Sequence, residues 1–272
     1  MSLFSRLLAG KKAQRDPLEK ELADLERDGR MHARVRLRDE SLATLTLASG
    51  LVGVVADLSY GGIAVRFAAA AFPFKPSEQT EGNLKILHHH TRLSMNTVRR
   101  VNHSPTEIIV GFCLRHEAAE SLLFLREFIE PSRCGESLGL IKQALRQSRY
   151  QSPQWHCWRG DGPTDLIAQT MPDTGELSEA ILTFRLNKTY CELTLKNGLL
   201  KTNLIRNEDE STMLNGTARV MAGTASEDMR VLRTAIFILQ ASPLLCRQLT
   251  APLISLARQQ LDASSLHGVT GG

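Results

Sequence analysis

The chain has 272 residues, 42% hydrophobic and 23% charged, with a net charge of +4. That composition excludes a disordered chain, and the length favours two domains over one. The basic surplus is too small to argue for wrapping a long nucleic acid, although concentrated locally it would suit a small anionic ligand.

Cysteines at 113, 134, 157, 191 and 246 form no C-x-x-C pair. This usage fits a cytoplasmic location, with neither disulfides nor a zinc cage. No apolar run approaches the roughly 18 residues of a membrane-spanning helix.

The opening "MSLFSRLLAGKK" places its charge after its apolar residues, the inverse of a secretory signal. As a helix it would gather Leu3, Phe4, Leu7 and Leu8 on one side, enough for weak docking to a surface. A helix is expected over 16–29: Asp16 caps it, Pro17 suits its first position, Leu18, Leu22 and Leu25 recur at helical spacing, and Gly29 suits its end.

From Val35 to about Phe112 short apolar stretches alternate with turn chemistry, predicting a small antiparallel barrel or sandwich. "HEAAESLLFLREFIE" then sets Leu122, Leu125, Phe128 and Ile129 along one helical stripe, and "PSRCGE", 131–136, reads as an interruption. Beyond it a helix is expected with Leu138, Ile141, Ala144 and Leu145 on a common face.

"QWHCWRG", "DLIAQTM", "AILTFRL", "YCELTLK" and "LLKTNLI" predict a meander of four or five strands, with Asn197-Gly198 as a hairpin turn. The end is helical. Ser226 is the expected cap, Met229, Leu232, Ile236 and Leu239 form the stripe, Pro243 sets the limit, and a last helix over 244–262 is expected to break near Pro252. The implied division is an N-terminal helical segment at 1–28, a β-rich unit at 29–130, and an α+β unit at 136–272.

Arg30, Arg34, Arg36 and Arg38 place four guanidiniums within nine residues. Arginine offers a planar fork that pairs bidentately with phosphate, meets the O6/N7 edge of guanine and stacks on a base. Downstream, strand alternation puts Val52, Val54, Ala56 and Leu58 on one face and Gly53, Val55, Asp57 and Ser59 on the other. A carboxylate and a hydroxyl thus project together, while Gly61 and Gly62 permit left-handed backbone and close approach of a ligand.

Arg30-Met31-His32-Ala33-Arg34, followed by Val35 and then by Asp57-Leu58-Ser59-Tyr60-Gly61-Gly62, resembles the PilZ domain, whose signatures are R-x-x-x-R and [DN]-x-S-x-x-G. "VRRV" at 98–101 and "VGFCL" at 110–114 look like later strands of that family. The resemblance covers about 29–130.

It implies a six-stranded antiparallel barrel that binds cyclic di-GMP and does not catalyse. Arg30 and Arg34 would clamp phosphates and guanine edges, with Asp57, Ser59 and Gly62 wrapping a guanine; Arg38 and Gly61 are additional candidates. Arg34 and Arg38 also fit R-x-x-x-R, but the family continues from its second arginine into Val or Ile, which favours Arg30 and Arg34. Many members double the first arginine, whereas Gly29 stands here.

Other candidates weigh less. In His88-His89-His90 only the outer two share a strand face, so a polar hairpin is the expectation. His156 and Cys157 are adjacent and should point oppositely, which argues against a dyad, and Glu208-Asp209-Glu210 reads as a solvated loop.

With no phosphate loop, dinucleotide fingerprint, nucleophile elbow or zincin motif, no catalytic residue, metal ligand or cofactor is expected. The leading reading is a cyclic di-GMP receptor that signals to a protein partner; motility, attachment or biofilm control is what the family implies. The alternatives are a PilZ-like scaffold acting only through protein contacts, and an enzyme whose chemistry lies in the C-terminal unit.

Overall fold

The computed structural model describes residues 34–71, 77–115, 119–186, 189–206, 219–221 and 225–267. The expected N-terminal helix and Arg30 lie outside these residues, as do Gly29 and 208–210. The chain is a mixed α+β protein, mostly β: a closed six-stranded antiparallel barrel, a second antiparallel sheet, and three helices among the described residues.

Seven strands build the first sheet: β1 (Val35–Arg36), β2 (Ala43–Leu47), β3 (Val52–Ser59), β4 (Gly62–Ala68), β5 (Gln79–Ile86), β6 (His89–Asn102) and β7 (Glu107–Arg115). The order β3-β2-β5-β6-β7-β4 closes on itself through the β3–β4 pairing. This is the barrel that the resemblance implies.

β1 and β2 lie along the same side of β3. Arg36 opposes Asp57 and Thr44 opposes Val54, so residues 38–42 leave the ladder as an excursion between two pieces of one barrel strand. Inside, Leu45, Val55, Val65, Leu84, Ile86, Met95, Ile108 and Val110 are fully buried, as alternation in each strand requires.

Helix α1 (Ala119–Glu136) buries Leu122, Leu125, Phe128 and Ile129, the expected stripe. It does not stop at "PSRCGE", however. It runs through Pro131 to Glu136, because the lost backbone hydrogen bond is offset by packing that the last turn alone can make. Gly135 is the reason: a Cβ there would stand 2.0 Å from the Ile238 carbonyl oxygen, so only glycine lets the two helices approach this closely.

The helix expected beyond 136 is absent. In its place are β8 (Gly139–Leu140) and two short 3-10 turns at Gln143–Leu145 and Ser148–Tyr150; of the expected face Leu138 is fully buried but Leu145 is exposed.

The second sheet is a meander of seven strands, more than the four or five expected. After β8 come β9 (Trp155–Arg159), β10 (Asp165–Thr170), β11 (Leu177–Leu186), β12 (Thr189–Lys196), β13 (Leu199–Arg206) and β14 (Arg219–Met221), each pairing with its predecessor. Asn197 and Gly198 both adopt φ above zero, the geometry of a tight two-residue hairpin.

Helix α2 (Ala225–Ala241) is buried on nearly every side from Val231 to Ala241, lying between α1, the second sheet and α3 (Arg247–His267). It starts one residue before the expected cap Ser226, and α3 continues past Pro252 without a break. Phe128 of α1 meets Phe237 of α2 with ring centroids 5.0 Å apart. One contiguous apolar core therefore runs from the barrel through α1 and α2 to the second sheet.

Candidate functional site

The stretch Arg34-Val35-Arg36-Leu37-Arg38 alternates as a strand should. Val35 and Leu37 are buried, while all three arginines face outward. β1 runs antiparallel to β3, with Val35 opposite Leu58 and Arg36 opposite Asp57, and the Leu37 N–H donates to the Ala56 carbonyl at 3.1 Å.

This register delivers Arg34 to Asp57. Arg34 Nη1 donates to Asp57 Oδ1 at 3.3 Å, across 23 residues of sequence. With the arginine side chain 51% exposed, such an ion pair contributes less than about 1 kcal/mol and opens at little cost to an incoming ligand.

Asp57 does not share a face with Val55, contrary to simple alternation. Val55 opposes Val65 and Asp57 opposes Ala64, so Ala56 is the extra residue of a β-bulge. Both Val55 and Leu58 thereby point into the barrel, and Asp57 is turned outward beside Arg34. Without the bulge, one of the two apolar side chains or the carboxylate would lie on the wrong side.

Ser59 is only 5% exposed, and its hydroxyl donates to the Gly62 carbonyl at 3.1 Å. Tyr60 and Gly61 form the turn between β3 and β4. Left-handed glycines among the described residues are 50, 162, 175 and 198, so the expected left-handed backbone at Gly61 and Gly62 is not found.

The requirement for glycine at 62 is spatial: a Cβ would sit 2.8 Å from the Phe112 carbonyl oxygen of β7. Gly61 accepts from the Leu114 N–H at 3.1 Å. Gly62 thus serves a close approach by the protein's own backbone.

Tyr60 is 6% exposed and donates its hydroxyl to Glu130 Oε1 of α1 at 2.7 Å. Burial first, and then the Glu130 hydrogen bond and charge, push its phenol well above the ordinary tyrosine range. The hairpin is in this way fastened to α1. At the end of that helix, burial raises the Glu136 carboxyl while Arg133, Arg38 and Arg36 pull it back, which places more positive charge beside β1.

Arg38 turns the other way. Its Nη1 donates to the Ser242 carbonyl at 2.7 Å and its backbone N–H to Gln240 Oε1 at 3.0 Å. The structure thus brings Arg34 to Asp57, holds Ser59, Gly61 and Gly62 in the adjoining hairpin, and directs Arg38 to the end of α2. Arg36 and Tyr60 belong to the same neighbourhood without having been singled out for a role. Alternation marks Arg36, whereas Tyr60 occupies a variable position of its motif and carries no such signal.

Elsewhere, His88 stands in the turn after Leu87 and meets Asp262 of α3 at 2.8 Å. Burial, then Arg233, lowers the His89 imidazole. Cys157 is buried and its thiol is pushed up by that burial; His156 is lowered, by burial and then Arg146, and the two side chains alternate along β9. Among the described residues no group of three or more His, Cys, Asp or Glu is placed to hold a metal, and no helix is long and apolar enough to cross a membrane. What the Arg34–Asp57 surface offers is recognition: guanidinium donors, one carboxylate and an open face.

No family model matches the chain, and no curated protein matches it in sequence. Among solved structures, one match is the crystal structure of the Borreliella burgdorferi PlzA protein in complex with c-di-GMP. It is 12% identical, with a TM-score of 0.31, covering 66% of this chain and 88% of that chain.

Proposed function

We propose that the chain is a receptor for cyclic di-GMP. The observation that carries this reading is the Arg34–Asp57 pair: two motifs separated by 23 residues meet on the outer face of a closed six-stranded barrel. Arg34, with Arg30 preceding it, supplies forked donors for phosphate and guanine O6/N7, and Asp57 accepts from the N1 and N2 edge of guanine. Ser59 and Gly62 shape the hairpin on which the base lies.

Binding exchanges the intramolecular Arg34–Asp57 pair for contacts with the ligand. Arg38, four residues on, links β1 to the end of α2 through Gln240 and Ser242, a route by which the change reaches the second sheet and a protein partner.

Calorimetric titration of cyclic di-GMP into the wild type and into Arg34→Ala tests the reading. Saturable heat is expected from the wild type. The variant should bind at least about tenfold more weakly, the equivalent of one lost charge-assisted hydrogen bond. Absence of heat from a folded wild type at tens of micromolar, on the order of the weakest useful receptor affinity, overturns it.

One observation favours the scaffold reading, namely that Ser59 is buried and its hydroxyl is already spent on the Gly62 carbonyl. On that reading Ser59→Ala costs about 1 kcal/mol of stability and changes no ligand affinity. On the receptor reading it weakens cyclic di-GMP binding as well, so melting and titration of this single variant separate the two.

A further inference from the structure

The bulge at Ala56 has a counterpart on the far side of the same barrel surface. In the β6–β7 ladder Thr97 opposes Phe112 and Arg99 opposes Gly111, so Val98, 59% exposed, is an extra residue there. The two bulges act alike. One turns Asp57 outward on β3, and the other gives Arg99, rather than Val98, the outward place opposite Gly111.

Strand register joins these positions into one row. Arg36 opposes Asp57, Asp57 opposes Ala64, Ala64 opposes Gly111, and Gly111 opposes Arg99, across β1, β3, β4, β7 and β6 in turn. Directly opposed residues of antiparallel strands share a face, so the whole row stands on the outside of the barrel. The adjoining row on that face runs Ser59, Gly62, Cys113 and Asn96. Ala64, Gly111, Gly62 and Cys113 are thus the middle of the surface, and none is large enough to obstruct a flat ring.

Arg99 leans over this surface. A Cβ on Gly111 would stand 3.1 Å from Arg99 Cγ and 3.4 Å from Arg99 Nε, so the side chain crosses from its own strand onto the outer side of β7, in the direction of Asp57. That leaves its guanidinium two strand spacings from Asp57, on the order of 10 Å. Other arginines of the barrel strands are committed: Arg66 to Glu40 and Glu107, Arg92 to Glu81, and Arg115 to Gln79. Arg99 is exposed and makes no hydrogen bond or ion pair among the described residues.

We infer that Arg99 is a further ligand-binding residue of the Arg34–Asp57 surface, taking a phosphodiester oxygen of the cyclic dinucleotide. The inference rests on the cyclic di-GMP reading. A guanine whose N1 and N2 edge meets Asp57 lies over Ala64 and Gly62, and its sugar and phosphate are then directed at Gly111, where the Arg99 fork stands. Arg34 holds the ligand from the β1 side and Arg99 from the β6 side.

The test is calorimetric titration of cyclic di-GMP into the full-length wild type, Arg99→Ala and Arg100→Ala. Arg100 is also exposed, but it opposes Val110, whose side chain is fully buried in the barrel, so the two arginines of "VRRV" belong to different faces. Its removal deletes the same charge without touching the surface. Arg99→Ala should weaken binding about tenfold, while Arg100→Ala stays within about twofold of wild type. Both variants should melt within about 2 °C of wild type, as exposed side chains do. Binding by Arg99→Ala within about twofold of wild type, or an equal loss in Arg100→Ala, overturns this inference and leaves the receptor reading standing. A folded wild type that gives no saturable heat overturns both.

Discussion

Gly135→Ala is expected to lower the melting temperature by about 10 °C. The added methyl would stand 2.0 Å from the Ile238 carbonyl oxygen, and its next contacts, the Ile238 carbonyl carbon and Cα, are also backbone. A flexible side chain could swing aside; two helix backbones cannot. α1 and α2 must separate, and between them lies the Phe128–Phe237 contact.

Overpacking of this kind costs about 1–3 kcal/mol, and the backbone clash puts Gly135 at or above the upper end. For a chain of this size each kcal/mol is worth roughly 2–4 °C. Circular dichroism melting of wild type and variant reads the difference, and a shift below about 2 °C would show that the helices part without loss.

Gly62→Ala carries the second large effect, and it distinguishes two meanings of a motif glycine. Here the Cβ would meet the Phe112 carbonyl oxygen at 2.8 Å, at the first pair of the β4–β7 ladder that helps to close the barrel. A loss of about 1–3 kcal/mol is expected, seen as a melting shift of roughly 3–10 °C. If the glycine served only to admit a ligand, the variant would melt like wild type and fail in cyclic di-GMP titration alone. The geometry predicts that stability falls first.

The barrel was readable because its strands alternate cleanly and its turns carry the usual residues. Two failures have physical causes that no local pattern shows. The period-two rule placed Asp57 with Val55, and the bulge at Ala56 undid it; a bulge is one residue in the wrong phase, invisible until the partner strand is known. At 131–136 the proline and glycine read as punctuation, yet their setting is a helix pressed against another helix, where Gly135 is a packing residue.

The candidate site divides along the same line. Arg34, Asp57, Ser59 and Gly62 stand out by spacing, but Arg38 fits the first motif equally well on paper. Only the fold shows its guanidinium committed to Ser242, 204 residues away. Likewise Gln240, Ser242 and Arg258, which line one cavity with Arg38, carry no signal in sequence because each is ordinary in its own element.

The two sheets also differ in what they present to a second copy of the chain. A closed barrel has no rim of idle backbone groups, whereas a meander ends in an outermost strand able to recruit another. β8, that strand on one side, is two residues long and gives way at once to 3-10 turns. A neighbour adding itself there would gain a hydrogen bond or two before the ladder ran out, which protects a mostly β chain from growing into fibres at that border.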